Sequence, residues 1–116
     1  MNTEEFVKAY KMVVADAAIE DSISVFQKPP GRKPSEELLQ ISNYYNGLNR
    51  DERKIIDMII ARVSYEASFG ALCVLDGVRS IEEEGDKGDI NLVYSKDNRS
   101  FDLNKNKDLH DIFNFL

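Results

Sequence analysis

Ala67-Ser68-Phe69-Gly70-Ala71-Leu72-Cys73-Val74-Leu75 is the stretch that decides the fold. The polar face of the preceding helical pattern disappears here, which predicts a segment surrounded by protein. Helix and strand compete, because a short apolar run is ambiguous by periodicity alone. Helix is the favoured reading: no breaker separates the run from Val63, and Ala67, Ser68, Gly70 and Ala71 are small enough for another helix to approach closely. A strand beginning at Phe69 is the alternative. Asp76-Gly77 closes the element, with a glycine able to take the left-handed conformation.

Upstream, Ile55, Ile56, Ile59, Ile60, Val63 and Ala67 share one side of the same helix, which starts at the capping-box pattern Asn49-x-x-Glu52. Before it, Ser35 caps a helix whose apolar stripe is Leu38, Ile41, Tyr45 and Leu48 and whose stop is Gly47. The short connection predicts an antiparallel hairpin of these two helices. A first helix opens at Thr3 with Glu4 and Glu5 and covers about residues 4–20, with Phe26 as its furthest extent. Gln27–Pro34 contains all three prolines and one glycine, so it forms the linker.

Downstream the period changes to two. Ile90, Leu92 and Tyr94 alternate, Lys96–Arg99 turns, and Phe101 and Leu103 alternate again, which predicts a β-hairpin. A lone hairpin is marginal in water, so its apolar face must lie on the helices or another strand. Asn106-Lys107-Asp108 then caps a short helix with Leu109, Ile112, Phe113 and Leu116 as its buried stripe. The expectation is an α+β single domain over residues 1–116: three helices, a C-terminal antiparallel hairpin and a short last helix.

Charge narrows the function classes. The chain has 15 Lys+Arg and 21 Asp+Glu, a net −6. Six acids (Asp76, Glu82, Glu83, Glu84, Asp86, Asp89) against Arg79 and Lys87 leave Asp76–Asp89 at a local net −4. Such a balance argues against a general nucleic-acid binder, which needs a basic face, and permits a basic protein partner. The longest uncharged stretch, Leu38–Asn49, is twelve residues and partly polar, so no bilayer-spanning segment is expected. The acidic N-terminus lacks the pattern of a secretory signal. One cysteine, Cys73, cannot form an internal disulfide. A reduced, cytoplasmic protein with a buried thiol follows as the expectation.

Chemistry-bearing motifs are sparse. No paired His or Cys has zinc-ligand spacing, and Gly85–Asp89 lacks the closing Glu of a calcium loop, so no metal and no cofactor are expected. The glycines fit neither phosphate-loop spacing. Cys73 with His110 is the only Cys/His combination, and His110 is expected at the surface or in a cap. Arg62 and Glu66, an i,i+4 pair in an apolar region, together with Asp76 and Arg79, suggest either an internal ion pair or a small-molecule pocket with Tyr65 and Tyr94 nearby. Lys28, Arg32 and Lys33 make the linker basic, so it is able to bind an anion or to dock on the acidic 82–89 loop. Pro29, Pro30 and Pro34 do not supply PxxP spacing.

The stretch Ser64–Glu84, with Gly88–Tyr94 and Leu109–Phe113, resembles a group of small, uncharacterised bacterial proteins; the likeness runs from Asn43-Tyr44-Tyr45 onward. It implies a bacterial origin and an α+β fold, and chains of this kind resemble immunity proteins that neutralise a toxin. The leading expectation is a non-enzymatic immunity- or adaptor-like module that presents Glu82, Glu83, Glu84, Asp86 and Asp89 to a basic partner. The alternative is a ligand-binding protein or minor enzyme with a pocket at Glu66. A homodimer through the hairpin and last helix is a further possibility.

Overall fold

The computed structural model describes residues 1–116. Its elements are α1 (Thr3–Tyr10), a π-helical segment (Lys11–Asp16), α2 (Ala17–Gln27), α3 (Glu36–Gly47), α4 (Arg50–Leu75), β1 (Val93–Lys96), β2 (Arg99–Asp102) and α5 (Leu109–Asn114). The fold is α+β and mainly helical, with the expected hairpin near the C-terminus.

The α1, π-helical and α2 segments follow one another without a break, so the first helical rod reaches Gln27. Asn2, rather than Thr3, caps it, accepting from the Glu5 N–H at 2.8 Å. Thr3 is otherwise engaged: its Oγ1 donates to the Leu103 carbonyl at 2.8 Å. Ser64 Oγ of α4 donates to the Ala15 carbonyl of the π-helical segment at 2.8 Å. Tyr10 answers from the other side, donating to the Ser68 carbonyl at 2.8 Å. These bonds lash the rod to the middle of α4.

Helix α4 runs unbroken through Ala67–Leu75, so the strand alternative does not occur. The Asn49/Glu52 capping box is formed at its start. At its end Gly77 takes φ +78°, and the Val78 and Gly77 N–H groups return to the carbonyls of Cys73 and Val74 at 3.0 and 3.2 Å. This is a Schellman stop. Only one side of the decisive stretch is enclosed. Ser68, Gly70, Leu72 and Cys73 are buried, whereas Ala67 and Ala71 are exposed. The expectation that protein surrounds the stretch therefore fails on that flank.

The antiparallel helical hairpin also fails to close. Helix α3 packs on α2, and α4 packs on the π-helical segment, α2 and α5, but α3 and α4 do not pack along each other. One side-chain tie joins them, Tyr45 Oη donating to Asp57 Oδ1 at 2.8 Å. Ile55, Ile59 and Val63, expected to be covered, therefore stand exposed, as does Ile41 of the α3 stripe.

The core is correspondingly small: Val7, Ala15, Leu72, Leu103, Leu109 and Phe113, edged by Phe6, Tyr10, Phe69 and Leu92 among others. Residues Tyr94 and Phe101 face each other across the hairpin, which turns through Asp97 and Asn98 at φ +53° and +62°, the two left-handed positions of a type I′ turn. The strands start later than alternation suggested, leaving Ile90 and Leu92 ahead of β1. Asn104 fastens the hairpin to the helices. Its amide donates to the Leu75 and Ile90 carbonyls at 2.7 and 2.8 Å and its oxygen accepts from the Leu92 N–H at 2.9 Å. In α5, Leu109 and Phe113 are buried, while Leu116 is exposed, contrary to the expected stripe.

The shape is open. The Cα radius of gyration is 18.2 Å, against about 13.4 Å for a compact domain of this length. The accessible surface is 8828 Å², roughly 2,400 Å² above the area of a compact monomer of equal mass. Helix α4 is also long and apolar enough, by length and composition, to cross a membrane, which corrects the expectation that no segment is.

Candidate functional site

Four places gather the side chains that the sequence singled out. The first is the Asp76–His110 pair. Asp76 sits at the C-cap of α4 with its side chain 0% exposed, and its Oδ2 lies 2.6 Å from His110 Nδ1. The same oxygen accepts the His110 backbone N–H at 2.8 Å. Asp108 occupies the N-cap position of α5 without making a side-chain capping bond. Asp76 thus caps α5 from 34 residues away and places a carboxylate at the positive end of that helix. The bond to Asp76 holds the His110 ring protonated above its ordinary 6.5, against the opposing effect of burial. His110 is therefore a structural, half-buried group in the capped first turn of α5, which departs from the surface half of the expectation and keeps to the cap half. The edge of Phe69 seals it, ring centroids 5.9 Å apart. Cys73 is buried nearby, and burial pushes its thiol upward, away from the reactive thiolate. No hydrogen bond joins Cys73 to His110.

The second place is an open cleft lined by Lys11, Arg62, Tyr65, Glu66, Phe69 and Phe113, among others. Arg62 Nε and Glu66 Oε1 meet at 3.0 Å with side chains 80% and 67% exposed, so the internal ion pair is instead a surface pair. Tyr65 donates to Asp16 Oδ1 at 2.7 Å. That bond lowers the Asp16 carboxyl and raises the Tyr65 phenol. Of the four residues proposed for a pocket, only Arg62 and Glu66 come together. Asp76 is spent on His110, Arg79 lies with its guanidinium over Gly70, and Tyr94 lines a different surface.

The acidic loop is the third. Glu82 folds inward: its Oε1 accepts from the Gly88 N–H at 2.7 Å, and its carbonyl accepts from Lys87 Nζ and Ser80 Oγ, each at 2.6 Å. Glu83, Glu84, Asp86 and Asp89 are exposed. Glu82 thus shapes the loop while the other four present charge. The basic linker makes no ion pair with this loop within the chain; the salt bridges lie elsewhere, as in Lys107 with Glu4.

The fourth place is an apolar groove of about 570 Å³ between α2 and α4. Its floor is small, with Ala18 and Ser22 from one helix and Ser64, Ala67 and Ala71 from the other; Val14, Phe26, Ile59 and Val63 form walls. An exposed row of Ile55, Ile59 and Val63, spaced four residues apart, continues it toward the start of α4. The signal for this site was in the sequence as the wide isoleucine face of α4. Periodicity marks such a face as apolar without saying what covers it.

Compared with known proteins, the chain matches no family model, no curated protein and no solved structure.

Proposed function

We propose that this chain is a non-enzymatic protein-binding module. The observation that carries the reading is the apolar groove and stripe of α2 and α4. Large contiguous apolar surface on a folded chain marks an interaction site, because exposing it to water is unfavourable. The groups able to do chemistry point the same way. Cys73 is enclosed with a raised pKa, His110 is committed to Asp76, and Arg62 and Glu66 neutralise each other in an open cleft.

The free carboxylates of Glu83, Glu84, Asp86 and Asp89 favour a basic partner, whose approach they would steer and orient. An immunity- or adaptor-like role in a bacterial cytoplasm, as the resemblance of Ser64–Glu84 implies, agrees with this arrangement. Pull-down from the producing organism at low salt, with the wild type, a Glu83→Lys/Glu84→Lys variant and an Ala67→Glu variant, tests the reading. It expects a captured protein to be lost with one of the two altered surfaces. Identical captures by all three chains would refute it.

A further inference from the structure

We propose that the cleft where α2 and α3 end against the first turns of α4 binds a soluble phosphate monoester through Arg50, Arg53 and Lys54. The site is separate from the apolar groove and does not depend on the protein-binding reading.

The sequence of α4 is the starting point. At about 100° per residue, Arg50, Arg53, Lys54 and Asp57 lie on the side of the helix that carries Ser64, Ser68 and Leu72 further along. There that side faces protein: Ser64 bonds to Ala15, the Ser68 carbonyl accepts from Tyr10, and Leu72 is in the core. At the start of the helix the same side is basic instead of apolar. The acids of the first turn do not neutralise it. Asp51 and Glu52 lie outside the cleft, and the Glu52 carboxylate is engaged by the Asn49 N–H at 2.9 Å.

Gln27, Tyr45, Arg50, Arg53, Lys54 and Asp57 line a cleft of about 290 Å³, close to the lower end, about 300 Å³, of ligand-site volumes. Its walls are held without the cations. Asn46 Nδ2 donates to the Gln27 and Phe26 carbonyls at 3.0 and 3.4 Å, so the carbonyl end of α2 is taken by an amide and not by an arginine. The Tyr45 ring lies on Phe26, centroids 6.4 Å apart, and its Oη donates to Asp57 Oδ1 at 2.8 Å.

The cations themselves are unpartnered. None of Arg50, Arg53 and Lys54 forms an ion pair. Arg53 Nε is enclosed and has no acceptor within the chain. An enclosed donor left unpaired is costly, and more so on a charged group; an anion seated on the guanidinium satisfies it. Three cations against the one carboxylate of Asp57 leave the cleft at net +2, which matches the roughly −2 of a phosphate monoester. The planar arginine fork fits phosphate oxygens in pairs. The small volume selects a small molecule, and a chain at net −6 disfavours a polyanion.

Titration of the full chain with glycerol phosphate at constant ionic strength tests the proposal, with affinity read by calorimetry and the Arg53 Nε–H resonance followed by NMR. The resonance should shift saturably with the ligand. Arg53→Lys keeps the charge and loses the fork, and should weaken binding about tenfold or more. Arg50→Ala and Lys54→Ala, at exposed positions, should each weaken it several-fold with the circular dichroism unchanged, which guards against misfolding of the first variant. Asp57→Asn removes the opposing charge and should tighten binding several-fold. Arg62→Ala, outside the cleft, should leave it unchanged. No saturable binding, an equal response to sodium chloride, or an affinity indifferent to Arg53→Lys, Arg50→Ala and Lys54→Ala alike overturns the proposal. So does a chain that floats with phosphatidic acid vesicles while ignoring glycerol phosphate, which assigns the cleft to a lipid headgroup.

Discussion

Replacing Asp76 removes the one charged group that joins the end of α4 to the start of α5. Its side chain is fully enclosed and takes two bonds from His110, at 2.6 Å from the ring and 2.8 Å from the backbone. Asp76→Ala leaves the ring and the helix N-terminus without that acceptor, and breaking a buried pair from one side costs about 3 kcal/mol. For a chain of this size, a loss of about 3 kcal/mol lowers Tm by roughly 12 °C. Asp76→Asn keeps an oxygen for the backbone N–H and loses the charge, so its cost is about half as large. The pH dependence separates the charge from the packing. His110 has a folded pKa above its ordinary 6.5, so the folded chain holds the proton more tightly than the unfolded chain. The pair's contribution is fully present below pH about 6.5 and is lost as pH rises through the higher folded value. Urea unfolding of the wild type and both variants across that window is the assay. The wild type should lose part of its advantage over Asp76→Asn on the alkaline side. A loss below about 1 kcal/mol in Asp76→Ala, or an advantage over Asp76→Asn that does not change with pH, would refute the reasoning.

Three further outcomes follow from the same structure. Leu72→Ala empties a fully buried position of the small core and should destabilise by about 3 kcal/mol in urea unfolding. Gly77→Ala forces a side chain onto φ +78° and should cost about 1 kcal/mol while leaving the helical circular dichroism unchanged. Glu82→Ala removes the acceptor of the Gly88 N–H in an exposed loop; proteolysis within residues 82–88 should accelerate several-fold, with thermal stability within about 0.5 kcal/mol of wild type.

What was legible in the sequence was local. Asn49 and Glu52 cap each other, Ser35 caps α3 and Gly77 stops α4, because each signal and its partner lie within a few residues. The helical state of Ala67–Leu75 followed from the absence of any breaker behind Val63. The long-range ties were silent. Nothing near Asp76 announces a histidine 34 positions away, and Asn104 reads as a turn residue although its three hydrogen bonds hold the hairpin to α4. The π-helical segment was equally hidden, since Tyr10, Ala15, Ser64 and Ser68 bond across helices that only folding brings together. At the candidate interface the isoleucine face was visible and its exposure was not. An apolar stripe states that water is excluded in the working state, and the excluding surface belongs to another chain as readily as to this one.

Met58 offers the most direct measurement of that claim. It stands 65% exposed beside the isoleucines Ile55 and Ile59 of α4, and thioether oxidation follows exposure. The rate of sulfoxide formation at Met58 under hydrogen peroxide, followed by peptide mass spectrometry, should be several-fold lower in the complex captured from the producing organism than in the isolated chain. A Met58 that oxidises in the captured complex as fast as in the isolated chain would contradict a partner covering this face of α4.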